Sequence, residues 1–420
     1  MRSPLVVVGL VGLALSACSS CGSGGGGAHD AGPDTSADTD TDSDTDNDTD
    51  SDIDTDADTD SDTLSDAGPW EWTDLPPSED CGSGCQQLTY SGGVRDREWD
   101  VWDNFLVFNT VDSKIGVVDI LNRKQLMVPV PVEECNSPDI DCYGQYPSIY
   151  QNYVYYGLLA NSPHRSILVR ADITSHSQEL WYSTVDTDED GWESIIYTDV
   201  YDNRITSTGG CDNGSVNELC YFNLAAPGEA TALTGSLYGG RASLWGDVAV
   251  LGTYDHEGDT FDVEGYNFVS SEFFYITHDA ETQIYPKFQG NTAVYMDLRF
   301  GDNLLSGDWN HAAVFAYDLS TYETKQITNA EWIAAHPDVY DSIVVWQDFR
   351  ASSDPNNAMS FDGVEIWGYN MITETEFQIT NLPGRPKQTP RIWGDKVFVH
   401  MSIASGGDGI FMFDPPDGSK

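Results

Sequence analysis

The chain has 420 residues, with 69 acidic and 19 basic side chains and a formal net charge of −50. Aromatic residues make up 12% of it, which is enough apolar surface to build a large core and excludes a wholly disordered protein. The acidity argues against nucleic acid as a partner, because phosphate binding requires clustered Lys and Arg, and against attraction to an anionic membrane surface.

The first 17 residues have the pattern of a secretory signal peptide. Arg2 precedes an apolar segment, residues 5–15, which is too short to span a bilayer. The segment ends in Leu15-Ser16-Ala17-Cys18, which resembles the lipobox of bacterial lipoproteins. The resemblance implies cleavage before Cys18 and acylation of that residue, so the lipid bilayer is an expected partner. Ordinary cleavage after Ala17 is the alternative.

The lipobox resemblance also implies a location. A lipoprotein of this type belongs to the bacterial cell envelope. Ser19, rather than Asp, follows the cysteine, and by resemblance to Gram-negative lipoproteins this favours the outer membrane. The folded part is then expected to be either periplasmic or exposed at the cell surface.

Residues 18–69 predict a disordered acidic tether. A Ser- and Gly-rich stretch gives way to alternating Thr-Asp and Ser-Asp dipeptides, and sixteen Asp with no basic residue lie between Asp30 and Asp66. Such a segment cannot bury apolar area, and its like charges extend it. We expect a solvated spacer, with loose Ca²⁺ binding as the alternative. Because only Arg2 precedes this run, residues 70–420 retain a net charge of −35.

The remainder repeats one pattern every 44 to 53 residues. In each unit two residues, the second usually aromatic, precede a tight turn such as Asp103-Asn104 or Gly246-Asp247, which accepts the positive φ of a two-residue hairpin. The pairs are Val101-Trp102, Ile149-Tyr150, Val200-Tyr201, Leu244-Trp245, Phe288-Gln289, Val339-Tyr340 and Ile392-Trp393. An Asp or Asn suited to an Asx turn then closes a third strand: Asp119, Asp172, Asn223, Asn267, Asp318, Asn370 and Asp414.

Four short strands per unit at this period predict an all-β protein, a seven-bladed β-propeller. Six or eight blades, or an antiparallel sandwich, are the alternatives. The last unit ends at Asp414 before a fourth strand, whereas Gln86-Gln87-Leu88-Thr89 has the Gln-apolar-Thr form of the fourth strands at 326–328 and 378–380. We therefore expect this N-terminal strand to pair beside Ile410–Phe413 and close the ring, so that no sheet edge stays open. The predicted organisation is a signal peptide over 1–17, a tether over 18–69 and a propeller over 80–420.

Six cysteines fall in close pairs in the sequence: Cys81/Cys85, Cys135/Cys142 and Cys211/Cys220. An exported chain meets oxidising conditions, so we expect three local disulfides. Metal ligation by these cysteines is the alternative.

The sharpest local motif is Asp186-Thr187-Asp188-Glu189-Asp190-Gly191. Alternate carboxylates before a Gly are typical of the first half of an EF-hand loop, so Asp186, Asp188 and Asp190 are candidate Ca²⁺ ligands. The twelfth position is Tyr197 rather than a bidentate Glu, so an acidic loop without metal is the alternative. Calcium is the one cofactor that the sequence suggests.

Four polar residues are candidates for a binding site at the channel mouth. His336 precedes Pro337 at the start of an innermost strand, and Lys287, Asp338 and Arg391 follow prolines in register with Pro337. Together they predict a polar channel mouth. The eight His are scattered, and neither His-Glu-x-x-His nor Gly-x-Ser-x-Gly is present, so we expect binding rather than catalysis.

Two Asp-x-Arg pairs, Asp297/Arg299 and Asp348/Arg350, recur at one blade position. The expected role is an ion pair that ties neighbouring blades or loops, with a substrate-binding pair as the alternative. Aromatic side chains in the strands and turns are expected to pack blade against blade, with sugar stacking as the alternative.

Residues 344–350, 365–370 and 376–380 together resemble one repeat of the TolB-type propellers, and residues 293–299, 317–321 and 326–328 resemble a second. The resemblance is good over 280–400 and faint over 95–235. Such repeats occur in extracytoplasmic binding and scaffolding proteins and in some carbohydrate-active enzymes. The expected function is therefore a surface-tethered module that binds or scaffolds an envelope or extracellular protein or polymer. A polysaccharide lyase or hydrolase that uses the channel mouth is the alternative.

Overall fold

A computed structural model describes residues 70–90, 93–129, 142–161, 164–185, 196–208, 219–226, 230–233, 242–255, 260–301, 310–403 and 406–416. Within those ranges the regular structure is entirely β, with 29 strands in seven antiparallel sheets. Among the residues so described, none belongs to a helix with the length and hydropathy that crossing a bilayer requires. The predicted all-β propeller with seven blades is confirmed.

Each sheet is one blade, and its strands follow one another outward from the central channel. Blade 1 contains β3 (Val94–Trp102), β4 (Phe105–Thr110), β5 (Ile115–Asp119) and β6 (Lys124–Val128). Blade 2 contains β7 (Cys142–Tyr150), β8 (Tyr153–Asn161), β9 (His164–Asp172) and β10 (Ser177–Val185). Blade 3 contains β11 (Ile196–Tyr201), β12 (Arg204–Thr208), β13 (Leu219–Asn223) and β14 (Ala230–Ala232). Blades 4 and 5 contain β15 (Ser243–Trp245), β16 (Val248–Asp255), β17 (Thr260–Asn267), β18 (Glu272–Tyr275); and β19 (Gln283–Gln289), β20 (Thr292–Asp297), β21 (Ala313–Asp318), β22 (Glu323–Gln326). Blades 6 and 7 contain β23 (Ala334–Tyr340), β24 (Ile343–Asp348), β25 (Glu365–Asn370), β26 (Thr375–Gln378); and β27 (Lys387–Trp393), β28 (Lys396–Ser402), β29 (Asp408–Phe413). Two N-terminal strands, β1 (Thr73–Asp74) and β2 (Cys85–Gln87), lie at the outer edges of blades 1 and 7.

The predicted closure of the ring is confirmed. β2 pairs antiparallel with β29, and Gln87 lies opposite Phe411. The Thr89 hydroxyl accepts the backbone N–H of Ile410 at 2.9 Å, and Thr328 and Thr380 make the equivalent contact in blades 5 and 6. The Gln-apolar-Thr form therefore encodes one repeated hydrogen-bond pattern, and the N-terminal copy supplies it to blade 7.

The chain before residue 80 also contributes to the propeller. β1 adds a fifth strand to blade 1, with Thr73 opposite Gln125, which the sequence did not predict. Glu79 forms an ion pair with Arg385 of blade 7 at 2.6 Å, and the Cys81–Cys85 disulfide lies just before β2. Residues 70–90, which we call the N-terminal clasp, therefore join blade 1 to blade 7.

Short turns occupy one end of the channel, which we call the turn end. The first residue of every turn between the first and second strands has a positive φ, as predicted: Asp103, Gln151, Asp202, Gly246, Gly290, Asp341 and Gly394. The predicted Asx turns also form between the third and fourth strands of blades 2 to 6; the Asp172 carboxylate, for example, accepts the N–H of Thr174 at 2.8 Å. The longer connections therefore leave the strands at the opposite end, the loop end.

The predicted disulfides lie partly within the described residues. The Cys81–Cys85 disulfide is confirmed. Cys220 in β13 is also disulfide-bonded, but its expected partner Cys211 lies outside the described residues. Cys142 starts β7, although its side chain is not described, and Cys135 lies outside the described residues. Cys18, the tether over 18–69 and the candidate calcium ligands Asp186, Asp188 and Asp190 also lie outside the described residues.

Candidate functional site

Side chains of the inner strands form three levels along the central channel. The level at the turn end, which we call the aromatic level, is formed by the aromatic members of the residue pairs found in the sequence. Trp102 lies with its ring centroid 4.2 Å from Trp393 and 4.4 Å from Tyr150, and Tyr201 lies 4.5 Å from Trp245. Trp102 also reaches Trp245 at 6.2 Å, so rings from non-adjacent blades meet across the axis. These rings pack on one another and close the channel at the turn end.

The next level inward, the polar level, borders a cavity of about 70 Å³. Its residues lie two positions before those of the aromatic level, and those that line the cavity are Asp100, Asp199, Ser243, Lys287, Asp338 and Arg391. Three of the four predicted mouth residues, Lys287, Asp338 and Arg391, are therefore brought together. The cavity has space for only a few water molecules, whereas sites for organic ligands usually enclose about 300–1,000 Å³.

The carboxylates and the hydroxyl of the polar level join neighbouring blades. The Asp199 side chain accepts the N–H of Leu244 at 2.9 Å, and Asp338 accepts the N–H of Ile392 at 2.9 Å. Ser243 accepts the N–H of Phe288 in the same way, at 3.0 Å. Each contact satisfies a backbone donor of the following blade, so these residues stabilise the ring.

The charged residues of the polar level also interact electrostatically. Burial raises the pKa of Asp338, and the positive charges of Lys287 and Arg391 oppose that rise. Lys287 and Arg391 thus offset part of the free-energy cost of burying carboxylates inside the channel.

The third level, at the loop end of the channel, has an unusual backbone and is called the mouth level here. Its residues lie two positions before the polar level, and five of them have positive φ: Tyr146 (44°), Tyr197 (54°), Tyr285 (52°), His336 (50°) and Thr389 (39°). A β-bulge in each inner strand accompanies this conformation. His336, the fourth predicted mouth residue, therefore lies at a different level from Lys287, Asp338 and Arg391.

Left-handed backbone at bulky residues is strained, and four of the five also precede proline. The residue before a proline is normally restricted to extended conformations, and each such outlier costs on the order of 1–3 kcal/mol. Outliers of this kind persist where the surrounding structure forces them, and they concentrate at binding and catalytic sites. The mouth level is therefore the candidate functional site.

Tyr146, Tyr197 and Glu98 form one cluster at the mouth level. The two phenol rings lie 4.1 Å apart, with 3.4 Å between their hydroxyl oxygens. Glu98 of blade 1 accepts hydrogen bonds from the backbone N–H of Tyr146 and from the side-chain amide of Asn109. Burial raises the pKa of Glu98, although Asn109 and Arg95 oppose that rise. Burial likewise raises the pKa of Tyr146.

Tyr285 and His336 form a second cluster at the same level, with ring centroids 4.7 Å apart. Both side chains are half-buried, as are Tyr146 and Tyr197. The mouth level thus presents phenol and imidazole rings together with one buried carboxyl group. These groups can bind a ligand by stacking and hydrogen bonding.

Sequence reasoning found His336 but missed the tyrosines and Glu98. A signal was present: Tyr146-Pro147-Ser148 and Tyr285-Pro286-Lys287 have the same form as His336-Pro337-Asp338. In this form an aromatic residue precedes proline, and the polar-level residue follows it. The prediction used the residue that follows each proline and, except at His336, did not include the residue that precedes it.

The Asp-x-Arg pairs form ion pairs within one blade, and Arg299 also pairs with Asp279 in the connection between blades 4 and 5, at 3.2 Å. Arg350 donates to both carboxylate oxygens of Asp348 at 2.8 and 2.7 Å, and its guanidinium lies 3.8 Å from the ring centroid of Trp367. Arg299 makes the equivalent bidentate contact with Asp297. These arginines are fixed in blades 6 and 5, where they stabilise packing.

The described residues do not fit a divalent metal at the mouth. No group of three or more His, Cys, Asp or Glu suited to a metal ion occurs among them. The mouth level offers one imidazole, His336, and one carboxyl group, Glu98, among phenols, whereas divalent cations need several carboxylate, imidazole or thiolate ligands. No step through a metal is therefore derived for this site.

Comparisons with known proteins agree on the fold. No protein-family profile matches the chain, and no curated protein matches its sequence. The chain is similar to an oligogalacturonate lyase solved in complex with manganese, with 12% identity, a TM-score of 0.56, and coverage of 83% of this chain and 98% of that one. It is also similar to the β-propeller domain of the Trilobed protease from Pyrococcus furiosus, which has an open velcro topology, with 8% identity, a TM-score of 0.53, and coverage of 79% and 95%.

A candidate TolB of Agrobacterium tumefaciens is a third similar structure, with 14% identity, a TM-score of 0.39, and coverage of 72% of this chain and 98% of that one. The TolB-like propellers are thus among the structural neighbours. Some neighbours are enzymes and others are not. At these sequence identities the structural similarity establishes only the β-propeller fold, so the function has to be inferred from the site.

Proposed function

We propose that this chain is an envelope lipoprotein, anchored through Cys18, whose propeller binds a protein or polymer of the envelope or its surroundings at the mouth level. The observation that carries the proposal is the ring of five non-glycine residues with positive φ at one end of the channel. The lipobox resemblance and the acidic tether support the anchored location. The small volume of the cavity at the polar level supports the choice of the mouth, rather than the inside of the channel, as the proposed binding site.

Two features of the mouth suit a binding site. The rings of Tyr285 and His336 are half-buried, so part of each is accessible while the rest is held by packing. The longer connections between strands leave from the same end, and such loops on a rigid scaffold commonly carry recognition. The turn end, by contrast, is closed by aromatic side chains that already contact one another.

Site-specific photo-crosslinking tests this proposal on the full-length, membrane-anchored protein. A benzophenone amino acid at Tyr285 is expected to capture a ligand from envelope material on illumination. The same group at Tyr322, an exposed residue of the turn end in the same blade, is the matched control and is expected to capture none. Adducts at Tyr322 alone, or equal adducts at both positions, would contradict the proposal.

A polysaccharide lyase or hydrolase is the second candidate, and the observation that favours it is the contact of His336 with Tyr285 beside the open end of the channel. Imidazole and phenol are the groups that enzymes use for proton transfer. With the binding role we expect no release of new reducing ends when the full-length protein is incubated with a panel of polysaccharides. Turnover that falls when His336→Ala is introduced would establish the enzyme instead.

A further inference from the structure

We infer that the outer part of blade 4 carries a second binding site, which takes a neutral oligosaccharide. The site consists of Tyr275, His278 and Glu264, and we call it the blade-4 patch. Tyr275 ends β18, the outermost strand of its blade, so the patch is separate from the channel and the inference goes beyond the function proposed for the mouth level.

The outer strand of blade 4 departs from the repeat that blades 5 and 6 share. Gln326 and Gln378 each donate to the backbone carbonyl two residues further on, at 2.7 Å. The strand register places Tyr275 at their position. A side chain that closes a local hydrogen bond in two blades is therefore replaced in blade 4 by a ring.

Two neighbouring positions change as well. The residue opposite that glutamine is Phe315 in blade 5 and Trp367 in blade 6, and each ring lies beneath a guanidinium group. The corresponding residue opposite Tyr275 is Glu264. His278 likewise stands where the other two blades have Asn after the shared Thr. Local departures from a pattern that packs well elsewhere in the same chain are expected at functional sites.

The changed residues form an exposed aromatic surface. The rings of Tyr275 and His278 stack with their centroids 4.4 Å apart, and their side chains remain largely accessible, with Tyr275 57% exposed. Phe273 lies on the same face of β18, about 7 Å along the strand from Tyr275, and packs on Tyr266. A row of rings of this kind offers a flat apolar surface to the C–H groups of a sugar ring.

The imidazole is held in place from below. Its Nδ1 lies 3.5 Å from the carboxylate of Asp262, a buried residue of β17. That carboxylate also accepts the hydroxyl of Thr277 and the backbone N–H of Asp279. The ring of His278 is thus fixed between Asp262 and Tyr275, an arrangement that reduces the entropy lost when a ligand binds.

Glu264 supplies hydrogen-bond acceptors beside the rings. It is half-buried, and its carboxylate accepts the hydroxyl of Thr253. Burial and the nearby charge of Asp262 raise the pKa of Glu264, so a hydroxyl donor from a ligand would stabilise its ionised form. A carboxylate has about four acceptor positions, which leaves capacity for such donors.

A further polar atom points to a ligand on this face. Thr260 is 8% exposed and lies two residues before Asp262, on the same side of β17. Its hydroxyl has no hydrogen-bond partner within the part of the chain that the structure describes. Such a group is costly unless water or a ligand satisfies it.

The chemistry of the patch favours a neutral, hydroxyl-rich ligand. Phenol, imidazole and threonine hydroxyl groups both donate and accept hydrogen bonds, as sugar hydroxyls do, whereas Lys and Arg side chains only donate. An acidic ligand would meet the carboxylates of Glu264 and Asp262. Arg299, which reaches this region through Asp279, is already bound to Asp297 and Asp279.

Saturation-transfer NMR on the full-length protein, in a detergent without a sugar head group, tests the inference. The probes are three neutral hexasaccharides, built of α-linked glucose, β-linked glucose and β-linked N-acetylglucosamine. Saturable transfer to at least one of them is expected, and titration gives its Kd. Hexagalacturonate and hexalysine are the charged comparison probes, and neither should give a signal that depends on Tyr275.

Tyr275→Gln is the decisive variant, because it restores the residue that blades 5 and 6 have at this position and should therefore preserve the fold. It is expected to raise the Kd of the bound hexasaccharide about tenfold through loss of the stacking surface. Tyr322→Gln is the matched control, since Tyr322 is an exposed tyrosine, 77% accessible, at the turn end of blade 5. The control should leave the Kd unchanged.

Glu264→Gln is a second variant and is expected to raise the Kd about fivefold, because a charge-assisted hydrogen bond becomes a neutral one. Binding that is equally strong in Tyr275→Gln and Tyr322→Gln, or absent for all three neutral probes, would overturn the inference. Binding of hexalysine alone that is lost in Tyr275→Gln would identify a cationic ligand and overturn it too. None of these outcomes bears on the mouth level, whose photo-crosslinking test uses Tyr285.

Discussion

Leu88→Ala is expected to lower the free energy of unfolding by about 2–5 kcal/mol, the range for a large-to-small change in a packed core. Leu88 is fully buried, and it belongs to a cluster that contains residues of both blade 7 and blade 1. The substitution leaves a cavity at the junction of blades 7 and 1, where the pairing of β2 with β29 closes the ring. The N-terminal clasp should then loosen, because Leu75 is part of the same cluster.

Chemical denaturation of the full-length protein, followed by tryptophan fluorescence, measures this effect. Leu121→Ala is the matched control, since Leu121 is 73% exposed and its truncation should change stability by less than about 0.5 kcal/mol. If the two variants unfold at the same denaturant concentration, the clasp does not stabilise the ring. A larger loss of stability in Leu88→Ala would show that blade 7 depends on the N-terminal clasp, which supplies its outer strand β2.

The clasp also illustrates how much of the fold could be predicted from the sequence. Gln87 and Thr89 were recognisable because blades 5 and 6 contain the same residues in the same order, and the structure gives them the same hydrogen bonds. β1 could not be found in this way. Thr73 and Asp74 have no counterpart in the other blades, so no repeat marked them as a strand.

The candidate site was predicted only in part, for a similar reason. The spacing of the repeats placed Lys287, Asp338 and Arg391 at one level, and the structure places them there. His336 lies two residues before Asp338 on β23 and therefore one level nearer the loop end. The β-bulge between the two levels, with its positive φ at His336, depends on backbone geometry that residue periodicity does not record.

The ion pair between Lys387 and Glu365 was also absent from the sequence prediction, because the two residues belong to different blades. Lys387 of β27 is fully buried, and its Nζ lies 3.1 Å from Glu365 Oε1 and 2.6 Å from the Leu382 carbonyl. Glu365 also accepts the N–H of Leu382 at 3.0 Å and the hydroxyl of Thr380 at 2.5 Å. Burial lowers the pKa of Lys387, and the Glu365 carboxylate opposes that change.

Lys387→Met is expected to lower the free energy of unfolding by about 3–5 kcal/mol, because it leaves a buried carboxylate without its cation. Lys325→Met is the matched control: Lys325 pairs with Glu374 at 2.7 Å, but their side chains are 43% and 69% exposed. An exposed ion pair contributes about 0–1 kcal/mol to the free energy of unfolding. Loss of the Lys325–Glu374 pair should therefore cost less stability than loss of the Lys387–Glu365 pair, although its contact distance is shorter. Denaturation of both variants at neutral pH compares them directly.

The double variant Lys387→Met with Glu365→Gln decides whether the loss comes from the unpaired charge or from packing. Gln keeps an acceptor for Thr380 but carries no charge, so the double variant should recover part of the stability that Lys387→Met loses. A coupling energy of at least about 1 kcal/mol in this double-mutant cycle is expected for residues in direct contact. Strictly additive losses would mean that Lys387 stabilises the junction of blades 6 and 7 through its packing and its backbone carbonyl contacts, and that Glu365 contributes separately.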